Sequence, residues 1–361
     1  MEESKPFSDI LSGKNAFYNS SNYLSSTKRD LVSDILLPAI YTVNIEHKII
    51  RIGKQVFSTF IFPIGIYLFL HSLAGRIILR ASNPCLIGYP QNYANKLRSH
   101  IFLNSEWKYK RITIAVDDYK VDAMIIGKAS TLGNRRWVLA SNGNGEFYEE
   151  KPFSKFQLVL DAMNGNAIVF NYPGVGASSG SPNRQAMAKA YRALLRFLED
   201  QDKGVGAKEI IGYGHSIGGG VQGDALNTHK LKEDVKYVFV KSRSFSDLAT
   251  TVSILTRSSF LGFLVKFLGW NMDPVEASKK LQVPEIIMQT ADVKDYEVLE
   301  NSSKIMDDGI IPVKSSLAKV LLDDNQSLKS EKLFIGMHEG HNDELEDPSY
   351  LVEKIESYLK I

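Results

Sequence analysis

Three features of this 361-residue chain predict an α/β architecture, with a mostly parallel central sheet covered by helices on both faces. From Lys108 onward, short β-rich runs alternate with longer helical patterns, the texture of βαβ units. The first two runs, Arg111 to Val116 and Lys120 to Ile126, flank Asp117-Asp118-Tyr119 and read as an antiparallel hairpin ahead of the parallel part. The third feature is Gly214-His215-Ser216-Ile217-Gly218, directly behind the apolar run Glu209-Ile210-Ile211-Gly212-Tyr213. It fills the pattern G-x-S-x-G, which belongs on a strained strand-to-helix turn.

Taken in order, Met1 to about Asp30 is rich in Ser, Asn and Lys without apolar periodicity, and reads as a mobile polar tail. It lacks the short apolar core and small-residue cleavage site of a signal peptide. Residues 31–107 read as an N-terminal helical region, beginning with an amphipathic helix over Leu31 to Val43. Within it, Val56 to Ala74 is uncharged and flanked by Arg51, Lys54, Arg76 and Arg80. The stretch is about as long as a bilayer core is thick. Pro63, Gly65 and His71 weaken a simple spanning helix, and the basic flanks suit contact of residues 51–80 with an anionic membrane surface. A buried helical pair packed on the rest of the chain is the alternative.

Residues 108–361 form the α/β domain. After the hairpin, strands are expected over Arg136 to Ser141, Asn166 to Asn171, Glu209 to Tyr213, Lys236 to Lys241, Pro284 to Thr290 and Lys332 to Met337. Helices are expected near Gln185 to Asp202, Gly219 to Thr228, Val313 to Leu322 and Pro348 to Leu359. Between about 244 and 282 lies a helical insertion containing the apolar run Phe260 to Trp270, placed to cap a site and suited to an acyl chain, or simply to pack the core.

Composition narrows the function classes. A hydrophobic content of 44% supports a large core. Cys85 is the single cysteine, so no internal disulfide forms and folding in a cytosol is the simpler reading. A net charge of +2, from 43 basic and 41 acidic residues, supplies no general field for nucleic acid, and none is expected as a partner. Gly174-Val175-Gly176 and Gly180 resemble a dinucleotide fingerprint loosely, but Ser181-Pro182 does not open the tight helix a pyrophosphate needs. In His338-Glu339-Gly340-His341 the histidines stand three apart, where a zinc helix needs four. Neither cofactor nor metal is expected.

The serine turn instead asks for acyl-transfer partners: a base, an acid that orients it, and backbone donors for an oxyanion. Ser216 is the candidate nucleophile. His341, behind the last expected strand in Gly340-His341-Asn342-Asp343, is the candidate base, with His338 the weaker choice. Two acids stay open. Asp292 follows the strand ending at Thr290, and Asp308 opens Asp308-Gly309-Ile310-Ile311-Pro312. Asp308 is preferred, the segment between them then being an inserted flap, while Asp295 and Asp307 read as surface charge. The expected oxyanion donors are the N–H of Ile217, just behind the nucleophile, and that of Asn144 in the loop Asn142-Gly143-Asn144-Gly145.

Together with Asn171-Tyr172-Pro173-Gly174-Val175-Gly176, these pieces resemble the α/β-hydrolase superfamily from about Lys108 to the C-terminus. Within it the chain is similar to the chlamydial 43 kDa-type (CHLPS) family, with relatives in Legionella and other intracellular bacteria. This finer likeness rests on Phe62-Pro63-Ile64-Gly65-Ile66-Tyr67, His71-Ser72-Leu73-Ala74-Gly75-Arg76, the turn Gly214 to Gly220, and Asp308 to Pro312. Many relatives carry His where this chain has Asn142. The resemblance implies a serine hydrolase and leaves the substrate open, and the leading reading is an esterase or lipase acting on a lipid or acyl ester. It would work in the bacterial cytoplasm, at a membrane, or in a host cell as a secreted effector. A thioesterase or peptidase of the same fold and a non-catalytic binding scaffold are the alternatives.

Overall fold

A computed structural model describes residues 36–46, 62–99, 107–150, 156–324 and 332–360. The expected polar tail and the first part of the apolar stretch, residues 56–61, lie outside the described residues, as does Leu31 to Ile35.

Ten strands form one sheet: β1 (Tyr41–Val43), β2 (Trp107–Val116), β3 (Tyr119–Lys128), β4 (Arg136–Ser141), β5 (Asn166–Phe170), β6 (Glu209–His215), β7 (Lys236–Ser242), β8 (Glu285–Thr290), β9 (Glu297–Val298) and β10 (Lys332–Met337). Their spatial order is β1-β2-β3-β5-β4-β6-β7-β8-β10-β9. From β5 through β4, β6, β7 and β8 to β10 every pairing is parallel, while β3 pairs antiparallel with both β2 and β5. A sheet buried on both faces needs apolar residues at successive positions. On β4, Trp137 and Leu139 enter one core while Val138 and Ala140 enter the other, and β7 divides Tyr237 and Phe239 from Val238 and Val240 in the same way.

The helices are α1 (Phe62–Ile78), α2 (Tyr93–Ser99), α3 (Phe156–Ala162), α4 (Arg184–Glu199), α5 (Ile217–Leu226), α6 (Leu248–Thr256), α7 (Ser259–Phe267), α8 (Pro274–Lys280), α9 (Leu317–Asp323) and α10 (Ser349–Leu359). α4 and α5 cover the first face, α3 and α10 the second. α4 starts where its pattern ends in Asn183, whose side chain accepts from the N–H groups of Gln185 at 2.8 Å and Ala186 at 3.2 Å. α5 carries Gly218, Gly219, Gly220 and Gly223, each costing about 1 kcal/mol of intrinsic helix propensity. Burial of nearly all its residues holds it in place.

Two expectations need correction. Leu31 to Val43 is not one helix, because Tyr41–Val43 is β1, parallel to Ile114–Val116, and Leu36 to Ala39 is irregular. Pro38 supplies no N–H and pushes the residue before it out of helical conformation, while Tyr41 and Val43 bury and Thr42 faces out, the period of a strand. The N-terminal region therefore joins the main sheet instead of standing beside it as helices alone. The expected helix Val313 to Leu322 is broken at Ser316, which caps α9 through its side chain and pairs with Phe245. The segment between Asp292 and Asp308, expected as an inserted flap, returns to the sheet edge, where β9 pairs with Ile335 and Gly336 of β10.

Candidate active site

Ser216 sits between β6 and α5 with φ 54 and ψ −120, a conformation that L residues rarely adopt. The turn closes so tightly that a Cβ on Gly214 would stand 2.8 Å from the carbonyl oxygen of Gly218, and one on Gly218 would stand 2.4 Å from that of Ser141. Backbone strain and close approach together explain the glycines on either side of the serine. Three bonds hold the turn: the Ser216 N–H donates to Ser242 at 3.0 Å, Ser244 Oγ donates to the Ser216 carbonyl at 2.9 Å, and Ser141 Oγ donates to Gly218 at 3.1 Å. The last of these brings the end of β4, and the loop after it, against the start of α5.

His341 and Asp308 arrive from separate loops at the same C-terminal edge of the sheet. Nδ1 of His341 lies 2.8 Å from Oδ2 of Asp308, and the His341 N–H donates to the Asp308 carbonyl at 2.7 Å. A carboxylate only accepts, so Nδ1 carries a proton, and in the neutral ring Nε2 is the nitrogen with the lone pair. The imidazole lies against the ring of His215, the neighbour of Ser216, with centroids 5.0 Å apart. All of Ser216, His341 and Asp308 are buried.

Burial acts to raise the Asp308 carboxyl, but the hydrogen bond and charge of His341 and the N–H groups of Ile311 and Ile310 outweigh it and hold the group below its ordinary range. Oδ1 takes both of those N–H groups, at 2.6 and 2.9 Å. This is why Asp308 opens Asp-Gly-Ile-Ile-Pro: the carboxylate closes its own turn with one oxygen and faces the histidine with the other. Asp292 is exposed, its N–H bonded to the Lys304 carbonyl at 2.7 Å, and the structure does not bring it to His341. His338 is partly exposed and lies near Glu339 and Glu346.

In the loop after β4, Tyr172 Oη donates to the Asn142 carbonyl at 2.7 Å and Asn142 Nδ2 to the Phe170 carbonyl at 3.3 Å. Asn142 therefore anchors the loop to β5. The Asn144 carbonyl accepts from Ala81 N–H at 2.9 Å, which ties the turn behind α1 to the same loop. Asn144 is exposed, and Ile217 is the buried first residue of α5.

Two residues near the site were not singled out from sequence. Arg243, buried and held at φ 48, donates from Nη1 to the carbonyls of Gly340 and of Asp343, the latter at 2.7 Å, and so clamps the loop on both sides of His341. Glu146 accepts from the Gly143 N–H and lies 3.9 Å from His215 Nε2. Neither sits in a local pattern that would have marked it.

A family model described as Chlamydia CHLPS protein (DUF818) matches residues 18–360. An α/β hydrolase of Vibrio vulnificus superposes with a TM-score of 0.51 at 14% identity, covering 90% of this chain and 96% of that one. An esterase of Pyrococcus furiosus gives a TM-score of 0.49 at 14% identity, covering 70% of this chain and 90% of its own. No curated protein sequence matches the chain significantly. The strand order, the serine turn between β6 and α5 and the Vibrio likeness define an α/β-hydrolase fold, and the chain belongs to the Chlamydia CHLPS protein family.

Proposed function

We propose that the chain is a serine hydrolase that cleaves an ester, a lipid or acyl ester first, through an acyl-enzyme on Ser216. The observation that supports this most is the strained Ser216 turn beside an imidazole whose Nδ1 is bonded to a buried carboxylate. In this reading Ser216 Oγ attacks the ester carbonyl carbon while Nε2 of His341 takes its proton. The proton passes to the leaving alcohol as the carbon–oxygen bond breaks. Water then attacks the acyl group, gives a proton to Nε2, and releases the acid as Ser216 recovers its own. Asp308 holds the tautomer and steadies the imidazolium. The N–H groups of Ile217 and Asn144 would face the oxyanion, worth about 3–4 kcal/mol for each donor lost.

As the second part of the reading, the chain acts at a membrane surface, in a host cell into which it is delivered. The family resemblance and the basic flanks Arg76 and Arg80 of α1 support that placement. Among the described residues, no helix is long and apolar enough to cross a membrane. The test of the chemistry is labelling by a fluorophosphonate probe. The parent should label at Ser216 and Ser216→Ala should not, with the fold unchanged by circular dichroism; equal labelling of both ends the proposal.

A further inference from the structure

Among the described residues, α1 meets the rest of the molecule with one face and leaves the other bare. Inward, Tyr67 packs edge-on against Phe267 at 6.1 Å and His71 stacks on Trp270 at 5.3 Å. Nδ1 of His71 reaches the Leu268 carbonyl at 2.5 Å and Trp270 Nε1 donates to the His71 carbonyl at 2.9 Å. Gly75 lets the Trp270 ring in so closely that a Cβ there would stand 2.5 Å from it. Outward, Ile66, Phe69, Leu70, Leu73 and Ile77 are all exposed, Phe69 at 67%. Their spacing of three, one, three and four residues puts them on one stripe of the helix. Tyr67, His71 and Gly75 on the opposite side are the residues that folding packs, with Leu68 exposed beside them.

The insertion shows the same division. α6 and α7 form a hairpin closed at Gly262, where a Cβ would meet Ser253 Oγ at 1.8 Å and the Ala249 carbonyl at 2.6 Å. That contact leaves Phe260 64% exposed, Phe263 and Phe267 each 58% exposed, and Leu255 bare as well. Phe263 stacks on Phe267 at 6.0 Å, and Phe267 touches Tyr67, so the outward rings of the hairpin run into α1. Exposed aromatic and aliphatic groups in one connected patch mark an interaction surface.

Charge chooses the partner. No acidic residue occurs between Glu46 and Glu106, nor between Asp247 and Asp273, in a chain whose charges otherwise nearly balance. Among the described residues, the exposed charged groups on these elements and their flanks are Arg76, Arg80, Arg257 and Lys266, all cationic. A second copy of the patch would set cation against cation. Anionic headgroups around an apolar interior match both parts of it.

We infer that α1 and the α6–α7 hairpin together form one docking surface for an anionic lipid bilayer. This rests on the membrane placement proposed above and extends the contact from residues 51–80 to the insertion. The hairpin is rooted beside the nucleophile: Phe245 and Met272, at its two ends, pack so closely on Gly220 of α5 that a Cβ there would stand 2.9 and 3.0 Å from them. The hairpin that would meet the bilayer is thereby joined to the helix that follows Ser216.

The experiment is co-sedimentation of the full chain with vesicles of phosphatidylcholine alone and of phosphatidylcholine mixed equally with phosphatidylserine, at low and high salt. Ser216→Ala is run beside the parent, so that the lipid result does not depend on hydrolysis. Both should bind the mixed vesicles and bind them less at high salt. Phe69→Gln and Phe263→Gln, each still unfolding cooperatively, should weaken binding about tenfold per ring. Binding unaffected by either ring, or no binding by the parent, overturns the inference. So does a parent dimer in solution that the ring variants convert to monomer, because the patch would then belong to a second copy.

Discussion

Replacing Asp308 by Asn tests the proposed chemistry through an effect that the surrounding bonds dictate. Oδ1 of Asp308 accepts from the N–H groups of Ile310 and Ile311, and Oδ2 faces Nδ1 of His341. An asparagine has one oxygen, and two backbone donors compete for it. If the oxygen stays with them, the amide NH2 points at the imidazole and forces Nδ1 to accept. Nε2 then carries the proton and cannot take one from Ser216. Turning the amide round restores the tautomer but leaves two backbone donors against an NH2 group. At about 1–3 kcal/mol for the unsatisfied buried donor of Ile311, the Ile310 N–H being only part-buried, that costs about 1–3 kcal/mol. Since each tenfold in rate is about 1.4 kcal/mol, kcat/KM should fall by about 5-fold to 100-fold. The assay is hydrolysis of a short-chain p-nitrophenyl ester, with thermal unfolding confirming the fold. Asp292→Asn, at an exposed position, should stay near the parent rate. An Asp308→Asn enzyme as fast as the parent would refute the assignment of Asp308 to the orienting role.

His341→Ala should fall to the same residual rate as Ser216→Ala, since such groups act as a unit; ester hydrolysis by the two variants checks this. Arg243→Met frees the carbonyls of Gly340 and Asp343 and should lower kcat by about 10- to 100-fold with a smaller change in KM. Arg243→Lys should recover part of that loss, as steady-state kinetics would show. The Asp308 carboxyl is held below its ordinary value, so its contribution to stability is full above about pH 4 and lost as pH falls through the lower folded value. Urea unfolding as a function of pH should show this dependence in the parent and not in Asp308→Asn. Away from the site, Arg98 of α2 donates to Glu149 at 2.6 Å with both side chains fully buried. Arg98→Met leaves that carboxylate without its cationic partner, with Asn171 Nδ2 still donating to it at 3.0 Å, and should cost about 3–5 kcal/mol in a urea unfolding experiment.

Local pattern alone determined much of this molecule. β4, β6, β7, β8 and β10 are short apolar runs that bury both faces, so their composition marks them without any knowledge of their neighbours. The turn at Ser216 is equally local, because its strain and its close contacts with Gly214 and Gly218 arise within a few residues. The three-residue strand β1 is too short to carry a period, and only its partner Ile114–Val116 makes it a strand. The sequence leaves both Asp308 and Asp292 open as loop carboxylates, with Asp308 preferred. The parallel pairing of β8 with β10 and the return of the intervening segment to the sheet edge set which of them meets His341. Arg243 reaches a loop almost a hundred residues away, a contact that no periodicity encodes. The apolar stretch shows the same limit: hydrophobicity made Val56 to Ala74 conspicuous, but packing on Trp270 and Phe267 decided which face of α1 is buried and which is bare. Propensity and turn geometry act between near neighbours and can be read along the chain, whereas the meeting of distant side chains depends on the sheet that carries them.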